Sequence, residues 1–183
     1  MIRAACGCFA CEARKYSDAS GIRTEKLADK ESRTTIETQV EIAGGYLSQY
    51  FITDPARHEA RLEEPYFLII QGRLASARQM LPVLEEVANS GRSLLVVAEA
   101  IEGEALATLI VNKIRGSLSC CAVKAAGAKA ARDAAIRELA MVTGARVVSD
   151  QDIDTLAVAD LGGADRAVVS AHRTTILGAA LLN

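Results

Sequence analysis

Tryptophan is absent from this chain, and aromatic residues are scarce: four tyrosines and three phenylalanines. A core must therefore be built from aliphatic side chains, and any cluster of aromatics stands out. An excess of one charge is also missing, since 21 Lys and Arg against 23 Asp and Glu leave a net charge of −2. No Lys/Arg cluster is interleaved with aromatics, so nucleic acid is excluded as an expected partner. Long apolar runs are lacking too. The longest candidates, such as SLLVVA (93–98), are strand-sized and far too short to span a bilayer. MIRAACGCFACEARK at the N-terminus has no apolar stretch ahead of a small-residue cleavage site, so no secretory signal is read and a cytoplasmic address is expected.

Catalytic groups are equally sparse. The two histidines, His58 in DPARHEAR and His172 in SAHRT, have no recognisable nucleophile beside them. GGADR (162–166) holds a glycine pair, but no G-x-G-x-x-G turn and no phosphate loop ending in Lys-Ser/Thr can be placed. Five cysteines form two clumps, Cys6, Cys8 and Cys11 in CGCFAC and the adjacent pair Cys120 and Cys121. An odd count in a chain with a large core argues against a disulfide scaffold. CGCFAC offers three thiolates without a nearby histidine, one ligand short of a usual structural zinc site. Neither an enzyme nor a metal or other cofactor is expected.

What is present is aliphatic and periodic. A chain of 183 residues suits one domain with a single core. Residues 1–35 are polar, mix both charges and show no sustained period, and they read as a poorly packed leader. TTIETQVEI (34–42) alternates like a half-exposed strand, whereas PYFLIIQG (65–72) and SLLVVAEA (93–100) are continuous apolar runs suited to strands covered on both faces. Helices are expected from Ser76 to Ser90, stopped at Gly91 and with a kink or restart at Pro82, over 102–116, and from about 128 to 143, stopped at Gly144. Further strands are expected at 117–125, 145–150 and 166–177. Alternating strands and helices define an α/β fold.

The stretch EGEALATLIVNKIRG (102–116) carries more apolar surface than one buried stripe requires. At 100° steps, Leu106, Ala107, Leu109, Ile110, Val111 and Ile114 cover about half the circumference, against the roughly 100° stripe of an ordinary surface helix. The preceding helix has two apolar rows, one of Met80, Val83 and Val87 and one of Leu81, Leu84 and Ala88. Two arrangements satisfy this pattern: both helices well buried, or two neighbours lining a groove. Tyr46, Tyr50 and Phe51 gather three of the seven aromatics in GYLSQYF, as a core anchor or as an adaptable rim.

Taken together, GYLSQYF, RQMLPVLEEVANSGR, LLVVAEAIEGEALATLIVNKIRG and DLGGADRAVVSAHRTTI resemble the apical domain of a GroEL-type group I chaperonin, in unbroken order from about Gly21 to Leu177. The resemblance implies a swivelling β/β/α domain, two packed sheets flanked by helices, over residues 21–178, with a leader at 1–20 and a tail at 179–183. It also implies a groove that holds non-native polypeptides and a co-chaperonin's mobile loop, in support of protein folding. The matching groove positions are Leu81 and Leu84 on the first helix and Leu106, Ile110 and Val111 on the second. Tyr46, Ser48, Tyr50 and Phe51 match the segment beside them. Glu104, Asn112 and Arg115 match polar positions that contact the co-chaperonin or neighbouring subunits. Departures accompany the match: Ala43 and Gly44 stand where the family has Asp-Arg, Gln49 replaces a proline, and residues 124–132 lose a proline, a phenylalanine, an aspartate and an arginine. No stretch resembles the family's ATPase or hinge domains, so ATP hydrolysis is not expected. The chain is expected to be either an excised apical domain or a diverged stand-alone peptide-binding module, monomeric or weakly oligomeric.

Overall fold

The computed structural model describes residues 16–17, 23–27, 37–149 and 151–178. Strands β1 (Tyr16–Ser17), β2 (Arg23–Leu27) and β3 (Glu37–Ala43) open the chain. A 3-10 turn, Gln49–Phe51, and β4 (Ala60–Glu63) follow. The middle alternates as β5 (Tyr66–Leu74), α1 (Leu81–Ser90), β6 (Leu94–Ile101), α2 (Gly103–Arg115), β7 (Cys120–Lys124), α3 (Lys129–Thr143) and β8 (Val147–Ser149). A short β9 (Gly162–Gly163) and the hairpin β10 (Arg166–Val169) and β11 (Arg173–Leu177) complete the order.

These elements make a mixed α/β fold with two sheets. The first is antiparallel, in the order β1-β2-β3-β11-β10-β4. Strands β3, β4, β10 and β11 bury alternate residues: Ala60 and Leu62 point inward on β4, and Ala167 and Val169 on β10. The second runs β7-β6-β5-β8, with its four strands parallel and β9 added antiparallel to β5. Here Phe67 to Ile70, Leu94 to Ala98 and Cys120 to Val123 are continuously buried, because helices cover both faces. One cluster of buried aliphatic side chains runs through both sheets.

The order of the parallel strands positions the helices. Both β5-α1-β6 and β6-α2-β7 step in the same direction across the sheet, so right-handed crossovers place α1 and α2 on one face. The β7-α3-β8 connection steps back past β6 and β5, which sends α3 to the other face, where it packs on β5 and β8.

Between the sheets, Gly44 to Leu47 leave β3 and run antiparallel along the edge of β7. Tyr46 pairs with Val123, Leu47 N–H donates to the Ala122 carbonyl at 2.9 Å, and Lys124 N–H donates to the Gly45 carbonyl at 3.2 Å. The crossing is tight. A Cβ on Gly44 would stand 2.4 Å from the Lys124 carbonyl oxygen, and Gly44 holds φ of +148°, a conformation only glycine enters readily.

Several sequence expectations change in detail. The helix expected from Ser76 begins at Leu81 instead, with Pro82 in its first turn, where a missing N–H breaks no helical bond. The strand expected over 117–125 is confined to Cys120–Lys124. Part of the segment read as a leader is paired: β2 lies antiparallel to β3, with Arg23 opposite Glu41 and Leu27 opposite Glu37. Ile36, the CGCFAC cysteines and the 179–183 tail lie outside the described residues.

Candidate functional site

The surface of interest is built outward from α2. Glu104 occupies its first turn and Lys113 and Arg115 its last, the placement that suits a helix macrodipole, and Gly116 closes it at φ +71° in a left-handed cap. Ala105 and Leu109 are fully buried, fixing which side faces the sheet. Leu106 and Ile110 are half-buried and pack against the core cluster. Beyond them the helix stays apolar where it meets water, with Val111 44 % and Ile114 64 % exposed.

The 3-10 turn at Gln49–Phe51 packs against α2. Ser48 caps it, its hydroxyl accepting from Tyr50 N–H at 3.4 Å. Neighbouring side chains in such a turn point about 120° apart. Phe51 consequently enters the core with no exposed surface, while Tyr50 stands 65 % exposed. On α1 the same division separates Leu84, which is buried with Val83 and Val87, from Leu81, which is 44 % exposed at the start of the helix.

The structure thus sorts the residues singled out in the sequence. Tyr50, Leu81 and Val111 present apolar surface to solvent, and Leu106, Ile110 and Tyr46 sit half-buried behind it. Phe51 and Leu84 lie in the core, with Phe51 wholly buried and Leu84 nearly so. Ser48 acts as a cap. Asn112 is occupied locally, its amide donating to the Thr108 carbonyl at 2.9 Å and its oxygen accepting from the Ser117 hydroxyl at 3.0 Å. Glu104 and Arg115 are exposed. Ile114, one of the most exposed aliphatic side chains of the described residues, belongs to the same surface although it is not among the family-matched positions. Its place in the apolar arc of the helical wheel was the signal for it.

The clustering is what distinguishes this face. Five large apolar side chains are strongly exposed among the described residues, and four of them, Tyr50, Leu81, Val111 and Ile114, lie on the 3-10 turn, α1 and α2. Scattered exposed apolar residues are ordinary; here Tyr50, Val111 and Ile114 lie on two elements packed together, the 3-10 turn and α2, and Leu81 starts α1 on the same face of the sheet. The fifth, Met141, lies on α3 at the opposite face, beside a shallow apolar depression lined by Ala140, Gly144, Ala145 and Val147.

Beneath α2, the Cys120 thiol donates to the Leu109 carbonyl at 3.3 Å. Burial pushes its pKa up to about 12, with Lys113 pulling weakly the other way. Cys121 is raised further, first by burial and then by the neighbouring Cys120. Both thiols are thus held protonated, the opposite of what a nucleophile or metal ligand needs. His58 and His172 lie exposed in turns on other parts of the chain. Among the described residues no group of three or more His, Cys, Asp or Glu is placed to hold a metal ion. No described helix is long and apolar enough to cross a membrane. What this face can offer a ligand is apolar contact edged by charge. No known protein-family model matches the chain.

Proposed function

We propose that this chain is an apical-type domain of the group I chaperonin kind, and that its α2 face binds apolar segments of non-native polypeptides. A co-chaperonin's mobile loop would be a second ligand of the same surface. The observation that carries the reading is the outward apolar flank of α2, Val111 and Ile114, next to Tyr50 and on the same side of the sheet as Leu81. Two sheets with helices on both faces of one of them support the swivelling β/β/α type.

The activity is passive: it needs no cofactor and no bond chemistry. Burying one Leu, Ile or Val side chain fully is worth roughly 1.5–3 kcal/mol. Two to four such contacts are offset by association and ordering costs of several kcal/mol or more. One copy therefore binds at about micromolar affinity or weaker, and a multivalent assembly would gain without any new contact. Because apolar burial is non-directional, selectivity among client sequences is low.

A second reading, a stand-alone interaction module outside any ring, is favoured by one feature. Gly44 sits where the resembled family carries an arginine, for which the resemblance implies an ion pair to another domain, and its backbone leaves no room for a side chain, so Gly44 cannot make that pair.

The test compares Val111→Ser and Ile114→Ser with Phe51→Ala in an anisotropy assay with a labelled amphipathic peptide. The serine variants should lose at least about fivefold in affinity, the loss expected when roughly 1 kcal/mol of apolar contact is removed, while melting within a few degrees of the parent. Phe51→Ala should instead lose about 3–5 kcal/mol of stability. Unchanged peptide binding in the serine variants would refute the reading.

A further inference from the structure

The exposed stripe of α2 is charged at both ends. At 100° per residue, Glu104, Val111 and Arg115 fall within about 40° of one another, with Ala107 and Ile114 beside them. Glu104, Ala107, Val111, Ile114 and Arg115 are all exposed. The two charges are eleven positions apart along the helix, or about 16 Å. Neither forms an ion pair with another described residue, in contrast to Glu102, which meets Arg73 at 3.4 Å. The surface thus runs from a free carboxylate, across three apolar side chains, to a free guanidinium.

We infer that the preferred occupant is an amphipathic helical segment lying antiparallel to α2, with an acidic residue near its N-terminal end and a basic residue near its C-terminal end. This rests on reading the α2 face as polypeptide-binding, and adds a direction and a charge pattern to it. Three effects favour the same arrangement. Antiparallel packing sets the segment's N-terminus, the positive end of its dipole, beside the negative C-terminal end of α2. An acidic residue there meets Arg115, and a basic residue at the other end meets Glu104. The same two charges also stabilise the segment's own helix, since acid suits its first turn and base its last. Between them, an apolar row at i, i+3/i+4 and i+7 spacing covers Ala107, Val111 and Ile114.

The experiment uses two labelled peptides of identical composition, with the same apolar row and with the terminal Glu and Lys interchanged. Their affinities for the full chain are measured at low and high salt. The matched peptide should bind about threefold to tenfold more tightly, as expected for two exposed pairs, and the preference should shrink in high salt. A difference in intrinsic helicity would favour the same peptide, so the deciding measurement is the double variant Glu104→Lys/Arg115→Glu. It should reverse the preference, which helicity cannot do. Equal affinity of both peptides for the parent, or an unreversed preference in the double variant, overturns the inference and leaves the apolar face standing. Failure of both peptides to bind a folded chain overturns the apolar face and the inference together. Self-association of the chain, lost in Glu104→Arg and restored in Glu104→Arg/Arg115→Glu, would assign the stripe to a second copy and overturn the inference in that way.

Discussion

Cys120 and Cys121 are neighbours in sequence and project to opposite faces of β7, yet neither has any exposed surface. That is possible only in a strand covered on both sides, and it determines their chemistry. Each pKa is raised above the ordinary thiol value of 9.0, chiefly by burial. A folded pKa above the unfolded one contributes stability that is complete below about pH 9 and is lost as pH climbs toward the folded value. The native chain should therefore lose stability between about pH 9 and pH 12 more steeply than a Cys120→Ala/Cys121→Ala variant. Urea midpoints across that range read the difference in slope, whatever the baseline cost of the substitutions. Equal slopes would show that the thiols ionise without opening the fold. At this scale the sequence was only half legible. Small thiols in a strand-like run were readable as core, but Phe51 and Tyr50, adjacent and both aromatic, could not be told apart. Their fates are set by a 3-10 turn that turns one inward and the other out.

At the scale of elements, patterning carried more. Gly91, Gly116 and Gly144 each end a helix in the left-handed conformation, at φ of +73°, +71° and +72°, where a glycine after an apolar-periodic run leads one to expect it. Pro82, read as a kink or restart inside a longer helix, instead sits in the first turn of a helix that starts at Leu81. The crossing from β3 to β7 was not legible, since the pair Gly44-Gly45 at the start of GGYLSQYF signals a turn without saying what passes beside it. Gly44 lies against the Lys124 carbonyl, and Gly45 against the Ala171 carbonyl. Replacing Gly44 by the arginine of the resembled family should therefore cost about 1–3 kcal/mol through backbone strain, and more if the crossing must open. Its denaturation midpoint should fall well below that of an exposed control such as Glu85→Arg. A midpoint matching the control would mean that the crossing tolerates a side chain and that the departure from the family is neutral.

For the whole molecule, the two faces of the parallel sheet have different surroundings. On one, α1 and α2 join the 3-10 turn in a concentration of exposed apolar groups; on the other, α3 covers β5 and β8. A ligand that binds only the folded face stabilises the fold by mass action. At tenfold excess over its dissociation constant, a client-like peptide should add about 1.4 kcal/mol, seen as a rise of a few degrees in melting temperature. The rise should be absent in Ile114→Ser. No rise in the parent protein, under conditions where anisotropy reports saturation, would place the peptide on unfolded chain.

The amino-acid sequence by itself determined the α/β alternation, the glycine-marked C-terminal ends of the helices and the surplus of apolar residues on 102–116, because periodicity and glycine punctuation act over a few residues. Only the tertiary structure decided which of those residues are wet. Burial depends on which strand each helix crosses to and on what packs beneath it, and Val111 differs from Leu109 only through contacts made with chain far away in sequence.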